Sequence, residues 1–165
     1  MFWQHSNTRT FKSPRFRDAD KIGTIKHQKM KKKLQNVLKA NAIFSIFSGS
    51  AMLCFGNSIA GIMTISNAII LMIIGSGLIL FGGFVWYQAT RQNVNSKEIK
   101  AIIIQDWLWV VGSVVIIGLQ LFQISFQGYV LMGIVALIVA DFAFFQNYYL
   151  KRGSIQFKNQ NKIVN

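Results

Sequence analysis

Residues 40–90 read ANAIFSIFSGSAMLCFGNSIAGIMTISNAIILMIIGSGLILFGGFVWYQAT, 51 positions without an Asp, Glu, Lys, Arg or His. A helix crosses the hydrocarbon core of a bilayer in ~20 apolar residues, so this tract is too long for one crossing and suits two joined by a turn. The spacing predicts a first helix over about 40–60 and a second over about 65–89, with Gly56, Asn57, Ser58 and Gly61 supplying the turn. The tract Ala101–Leu150 has like length and carries only two charged residues, Asp106 and Asp141. With QISFQG at 123–128 as its turn, it predicts helices over about 102–122 and 129–149. The expected fold is all-α, a four-transmembrane-helix bundle spanning residues 39–150, flanked by basic tails at 1–38 and 151–165.

The rest of the composition agrees. The chain has 18 basic and 5 acidic side chains in 165 residues, a net charge of +13, yet 52% of positions are apolar. Mean hydropathy is +0.38, more apolar surface than a soluble core of this size could cover. Eleven basic residues precede Ala40, three lie between helices two and three (Arg91, Lys97, Lys100), and four follow helix four. The two short turns hold none. Lys and Arg are retained on the cytoplasmic side during insertion, so both termini are expected in the cytoplasm of a cell (inner) membrane. Trp and Tyr favour the interface between lipid and water. Trp86, Tyr87, Trp107, Trp109, Tyr148 and Tyr149 all fall near the same predicted face, as interface anchors.

The basic, aromatic-sprinkled segment before residue 39 reads as a disordered tail held against the anionic inner leaflet. Nothing else in the chain supports a nucleic-acid arm. Met30-Lys31-Lys32-Lys33 followed by an apolar run also has the form of a translation start. From that start a signal peptide can be drawn, with a small-x-small cleavage site at Ser58-Ile59-Ala60.

Lipid tails are as apolar as Leu, so helices in a bilayer associate through small residues that let backbones approach and through polar contacts. Ser45 and Gly49 lie four apart on helix one, and Gly75 and Gly82 seven apart on helix two. Helix four carries Gly133, Ala136, Ala140 and Ala143, one continuous stripe. The tracts also align as tandem hairpins, Ser48-Gly49-Ser50 on Val111-Gly112-Ser113 and Phe84 to Gln88 on Phe142 to Gln146, the pattern of a parallel duplication.

Intramembrane carboxylates face a bundle interior, a partner or water. Counted from Ser125, Asp106 lies 19 residues back and Asp141 16 on, so in a hairpin they are roughly 5 Å apart along the axis. The same layer holds Asn41, Gln88, Gln105, Gln146 and Asn147, with Lys39 and Arg91 at its edge. Two readings follow. In one, the layer is a polar pocket where a carboxylate binds a proton or cation, with Asp141 as the functional candidate and Asp106, Gln146, Asn41 and Arg91 around it. In the other, Asp106 pairs with Arg91 or Lys39 near the interface and sets the depth of helix three.

Several chemistries are excluded. A thiol oxidoreductase needs paired cysteines, and Cys54 is alone; membrane haem needs axial ligands, and His5 and His27 lie in the tail. Two Asp on separate helices are too few for a metal site, and no cofactor is expected. An intramembrane serine protease cannot be assembled. Small multidrug exporters carry their essential carboxylate in helix one, which here has none.

Asn41-Ala42, Ser48-Gly49, Asp106-Trp107-x-Trp109-Val110-x-Gly112-Ser113 and Val139-Ala140-Asp141-Phe142-Ala143 together resemble a pattern of small bacterial four-helix membrane proteins. That resemblance implies the topology and a bacterial inner membrane, and no activity. The function expected is a non-enzymatic accessory or assembly protein using the helix-four stripe, with a membrane protein partner or a homo-oligomer. The alternative is a small oligomeric transporter or proton- or cation-conducting protein that uses Asp141.

Overall fold

The computed structural model describes the backbone of residues 14–91, 96–120 and 124–164, and side chains at 22, 24–26, 28–91, 96–120 and 124–153. It is all-helical over these residues. The elements are α1 (Pro14–Cys54), α2 (Gly56–Met63), α3 (Ile69–Thr90), α4 (Ser96–Gly118) and α5 (Phe126–Val164). Four of them are long and apolar enough to cross a membrane, through Thr24–Cys54, Ile69–Thr90, Ser96–Gly118 and Phe126–Gly153. They form a four-helix bundle.

The helix ends differ from the sequence expectation in ways that local packing explains. α1 starts at Pro14, so the segment read as a polar tail is helical over its described part. Leu34 and Leu38, inside that segment, are buried with Ala42, Val85, Ile99, Ile102 and Leu150 in one apolar core. The bundle's inner face therefore begins at Leu34, six residues before the charge-free tract starts at Ala40. At the other end α1 stops at Cys54, and Gly56, Asn57, Ser58 and Gly61, read as turn residues, are helical in α2. The chain reverses after α2 instead, where Thr64 adopts left-handed geometry with φ 59°. Asn67 Oδ1 then accepts the Ile69 N–H at 2.9 Å and starts α3. α4 begins at Ser96 and ends at Gly118, earlier than expected at both ends, and α5 continues beyond 149 to Val164.

Ser125 fixes the entry to α5. Its hydroxyl donates to the Ile62 carbonyl at 2.6 Å and accepts the Gly128 N–H at 3.1 Å, and its own N–H donates to the Met63 carbonyl at 3.0 Å. One residue thus caps a helix and ties it to the end of α2. A second apolar core of Ala60, Met63, Leu71 and Ile124 closes the bundle at that end.

Each helix buries one stripe. On α1 it is Leu34, Leu38, Asn41, Ala42, Ser45 and Gly49, at spacings of three and four. α1 packs on both α3 and α5, and α4 packs on α5, whereas α3 and α4 barely touch although they are consecutive. The spatial order is α3, α1, α5, α4. The outer faces are apolar, with Phe47, Leu80 and Leu137 exposed by 74%, 76% and 70%, as a bundle surrounded by hydrocarbon requires.

The α1–α3 contact rests on glycine. A Cβ on Gly49 would lie 2.5 Å from the Gly75 carbonyl oxygen, and one on Gly75 would lie 2.8 Å from the Gly49 oxygen. One on Gly82 would meet the Ala42 carbonyl oxygen at 2.9 Å. The backbones touch with no room for a side chain, so the small residues picked out on helices one and two meet each other. The stripe on α5 also turns inward, with Ala136 and Ala143 buried within the chain and Gly133 3.9 Å from Ile117 on α4 if given a Cβ. It is occupied by the bundle itself. The matched glycines of the two hairpins do not share a setting, since a Cβ on Gly112 would meet nothing within 4 Å.

Candidate functional site

Asp106 lies on the buried face of α4, on the stripe Ile99, Ile102, Ile103, Asp106. That stripe turns it toward α1 and α5, where it is 3% exposed. Asn41 Nδ2 on α1 donates to Asp106 Oδ2 at 2.8 Å, and Gln146 Nε2 on α5 donates to the same oxygen at 3.2 Å. Ser45, one turn on from Asn41, donates to Asn41 Oδ1 at 3.4 Å. Three helices are thereby joined through one carboxylate oxygen.

The sequence reading that paired Asp106 with Arg91 or Lys39 is not what the structure contains. Arg91 lies beyond α3, where Nη1 is 3.7 Å from Glu98 Oε2 and its guanidinium sits 5.0 Å from the centre of the Tyr87 ring. Asp141 sits two residues from Val139 and two from Ala143, both buried, and so on the opposite side of α5, where it is exposed. The structure brings Asp106, Asn41 and Gln146 together and leaves Asp141 and Arg91 outside the cluster. Gln146 is buried completely, and its Oε1 has no hydrogen-bond partner.

Because α3 and α4 diverge, a cleft of about 330 Å³ opens between them, with α1 and α5 behind it. Asn41, Ser45, Gln105 and Asp106 form its polar end, Ser48 lies one turn along α1 from Ser45, and Leu78, Phe81 and Val139 are among its apolar walls. It lies at the waist of the bundle, between the two apolar cores. Both donors to Asp106 converge on Oδ2, so among the described residues Oδ1 takes no donor. No Lys, Arg or His is among the residues lining the cleft.

No family model, curated protein or solved structure matches the chain.

Of the residues expected at the interface, Trp86, Tyr87, Trp107 and Tyr148 are exposed by 40–55%. Tyr148 lies under the Arg152 guanidinium, whose central carbon is 4.7 Å from the ring centre, and Tyr149 under Lys33 Nζ at 5.9 Å. Trp109 is different. It is half-buried and lines the cleft, one turn from Asp106 on the same face of α4. Its spacing from Asp106 was the available signal. Ser45 was likewise legible as a polar neighbour of Asn41 at i, i+4, and was read only as a small packing residue.

Proposed function

We propose that this chain is a non-enzymatic accessory protein of a bacterial inner membrane, with both termini cytoplasmic, that works by binding within the bilayer through the α3–α4 cleft. The observation that carries this reading is the cleft itself. Two consecutive helices stand apart at mid-depth over a wall that combines a hydrogen-bonded carboxylate with apolar side chains. Ligand sites are mostly apolar concavities with a few fixed polar groups, and they commonly lie between helices of a bundle. The inward-turned α5 stripe favours the cleft over that stripe as the binding surface. The orientation is supported by Arg91, Lys97, Lys100, Lys151 and Arg152, all at the end of the bundle away from Thr64 and Ser125. There they suit the anionic leaflet.

A photo-crosslinking amino acid at Leu78, in the cleft, should capture a discrete species in membranes. The same probe at Leu80, exposed by 76%, should give only bulk lipid adducts. Identical adducts at both positions would remove the basis for this reading.

One observation favours a second reading. Asp106 lines the cleft and its Oδ1 takes no donor among the described residues, so a transport or conduction role would run through Asp106, with outward-facing Asp141 outside that route. Reconstituted protein that moves neither protons nor cations would exclude it.

A further inference from the structure

The cleft has one polar end, one formal charge and a small volume, and together these restrict what it can hold. We propose that it binds a hydrophobic amine, a molecule with a single ammonium group on a compact apolar body, whose ammonium seats on Asp106 Oδ1. This rests on the cleft being the binding site. Asn41 and Gln146 hold the carboxylate from one side through Oδ2 and fix its rotation, so Oδ1 is presented by a rigid group. A preoriented acceptor loses little entropy on binding.

The sign of the charge selects the head group. With a carboxylate and no cation among the lining residues, an anionic head is repelled and a neutral one forgoes the charge-assisted hydrogen bond that an ammonium forms. Trp109 and Phe81 line the same cleft, and aromatic faces near a carboxylate suit a cation further. The walls suit the rest of the molecule, since Met52, Ile74, Leu78 and Val135 give an alkyl or aryl body an apolar lining interrupted only by the Ser48 hydroxyl. The volume of about 330 Å³ lies at the small end for ligand sites, which admits one short chain rather than two full acyl chains.

An ammonium of this kind could be carried by a free amphiphile or by the head group of an aminophospholipid. The test separates the two. The full-length chain carrying Trp3→Phe, Trp86→Phe and Trp107→Phe keeps Trp109 as its sole tryptophan. In phosphatidylcholine nanodiscs it is titrated with 6-bromohexylamine, 6-bromohexanol or 6-bromohexanoate, whose bromine quenches tryptophan on contact. The amine is expected to quench saturably at a concentration at least tenfold below the alcohol, and the acid less well still. Asp106→Asn should raise the amine's half-saturation at least tenfold and leave the alcohol's unchanged. Should that variant fold poorly, Gly77→Leu replaces it. Gly77 lines the cleft with nothing within 4 Å of an added Cβ, so there is open space for a larger side chain to occupy, on a helix that supplies no donor to Asp106. It should abolish saturable quenching.

Adding phosphatidylethanolamine raises the amine's half-saturation if a lipid head group is the natural source, and leaves it unchanged if a free amine is. Equal quenching by all three probes, or an amine titration unaffected by Asp106→Asn, overturns the amine assignment while leaving the cleft as a binding site. No quenching of Trp109 by any probe, or quenching that survives Gly77→Leu, overturns the cleft reading as well.

Discussion

Gly49→Ala adds one methyl group to the chain and should separate two helices. The new Cβ would stand 2.5 Å from the Gly75 carbonyl oxygen and 2.9 Å from Ile79 Cγ1. Ile79 Cγ1 belongs to a flexible side chain and can rotate away, but the Gly75 oxygen is backbone and cannot. Reaching ordinary contact at about 3.5 Å requires α1 and α3 to part by about 1 Å. Overpacking of this kind costs about 1–3 kcal/mol. Against it, Ala gains about 0.5–1 kcal/mol over Gly within a helix, so the net loss is about 0–2.5 kcal/mol, centred near 1 kcal/mol. Gly112→Ala is the matched control, since its Cβ would meet nothing within 4 Å, and it should be stabilising by the helix term alone. The assay is unfolding in mild detergent micelles with increasing dodecyl sulfate, followed by helical circular dichroism. Opposite shifts for the two variants are expected. If Gly49→Ala moves with Gly112→Ala in the stabilising direction, the backbone contact is not a constraint and the account of the α1–α3 packing fails.

Three further outcomes follow from the same structure. Asp106→Ala leaves Asn41 Nδ2 and Gln146 Nε2 without their acceptor and should destabilise by about 1–3 kcal/mol, more than Asn41→Ala, which leaves Asp106 its bond to Gln146; the same detergent titration ranks the pair. Ser125→Ala removes a helix cap and the bond to Ile62, a loss of about 1 kcal/mol, read as faster amide exchange at Gly128 with little change elsewhere. Cys54, the sole cysteine and exposed at the far end of α1, should react with a membrane-impermeant maleimide on intact spheroplasts, and protection there with labelling only of inside-out vesicles would reverse the proposed orientation.

The four spans were legible because charge is expensive in hydrocarbon, and two tracts of about fifty residues, one uncharged and one with only Asp106 and Asp141, leave few ways to be threaded. The α1–α3 glycine contact was legible for a related reason, since small residues have few uses in lipid other than close approach. The rotation of each helix about its own axis was harder to read. In water the apolar face points inward, but in lipid both faces are apolar and the stripe carries no such signature. Asp106 and Asp141 lie at similar depth on that reckoning, and only rotation separates the buried one from the exposed one. The buried one continues the run Ile99, Ile102, Ile103, whereas the other falls between Val139 and Ala143 on the opposite side. The start of α1's inner face was masked by lysines, although Leu34 and Leu38 continue the Asn41–Ser45–Gly49 stripe at helical spacing.

The three-helix lock around Asp106 also has a history within each molecule's synthesis. Asn41 emerges 65 residues before the carboxylate it will bind, and Gln146 follows 40 residues after that. At roughly 5–20 residues per second the Asn41 amide waits roughly 3–13 s for its partner, and the carboxylate then waits a further interval for its second donor. During the first interval α1 has only α3 to dock on, through glycine backbones that need no polar partner. The ribosome therefore delivers the apolar half of the bundle before the polar half. A chain interrupted between them would leave a bare amide in the bilayer, the kind of defect that membrane proteases and chaperones can recognise.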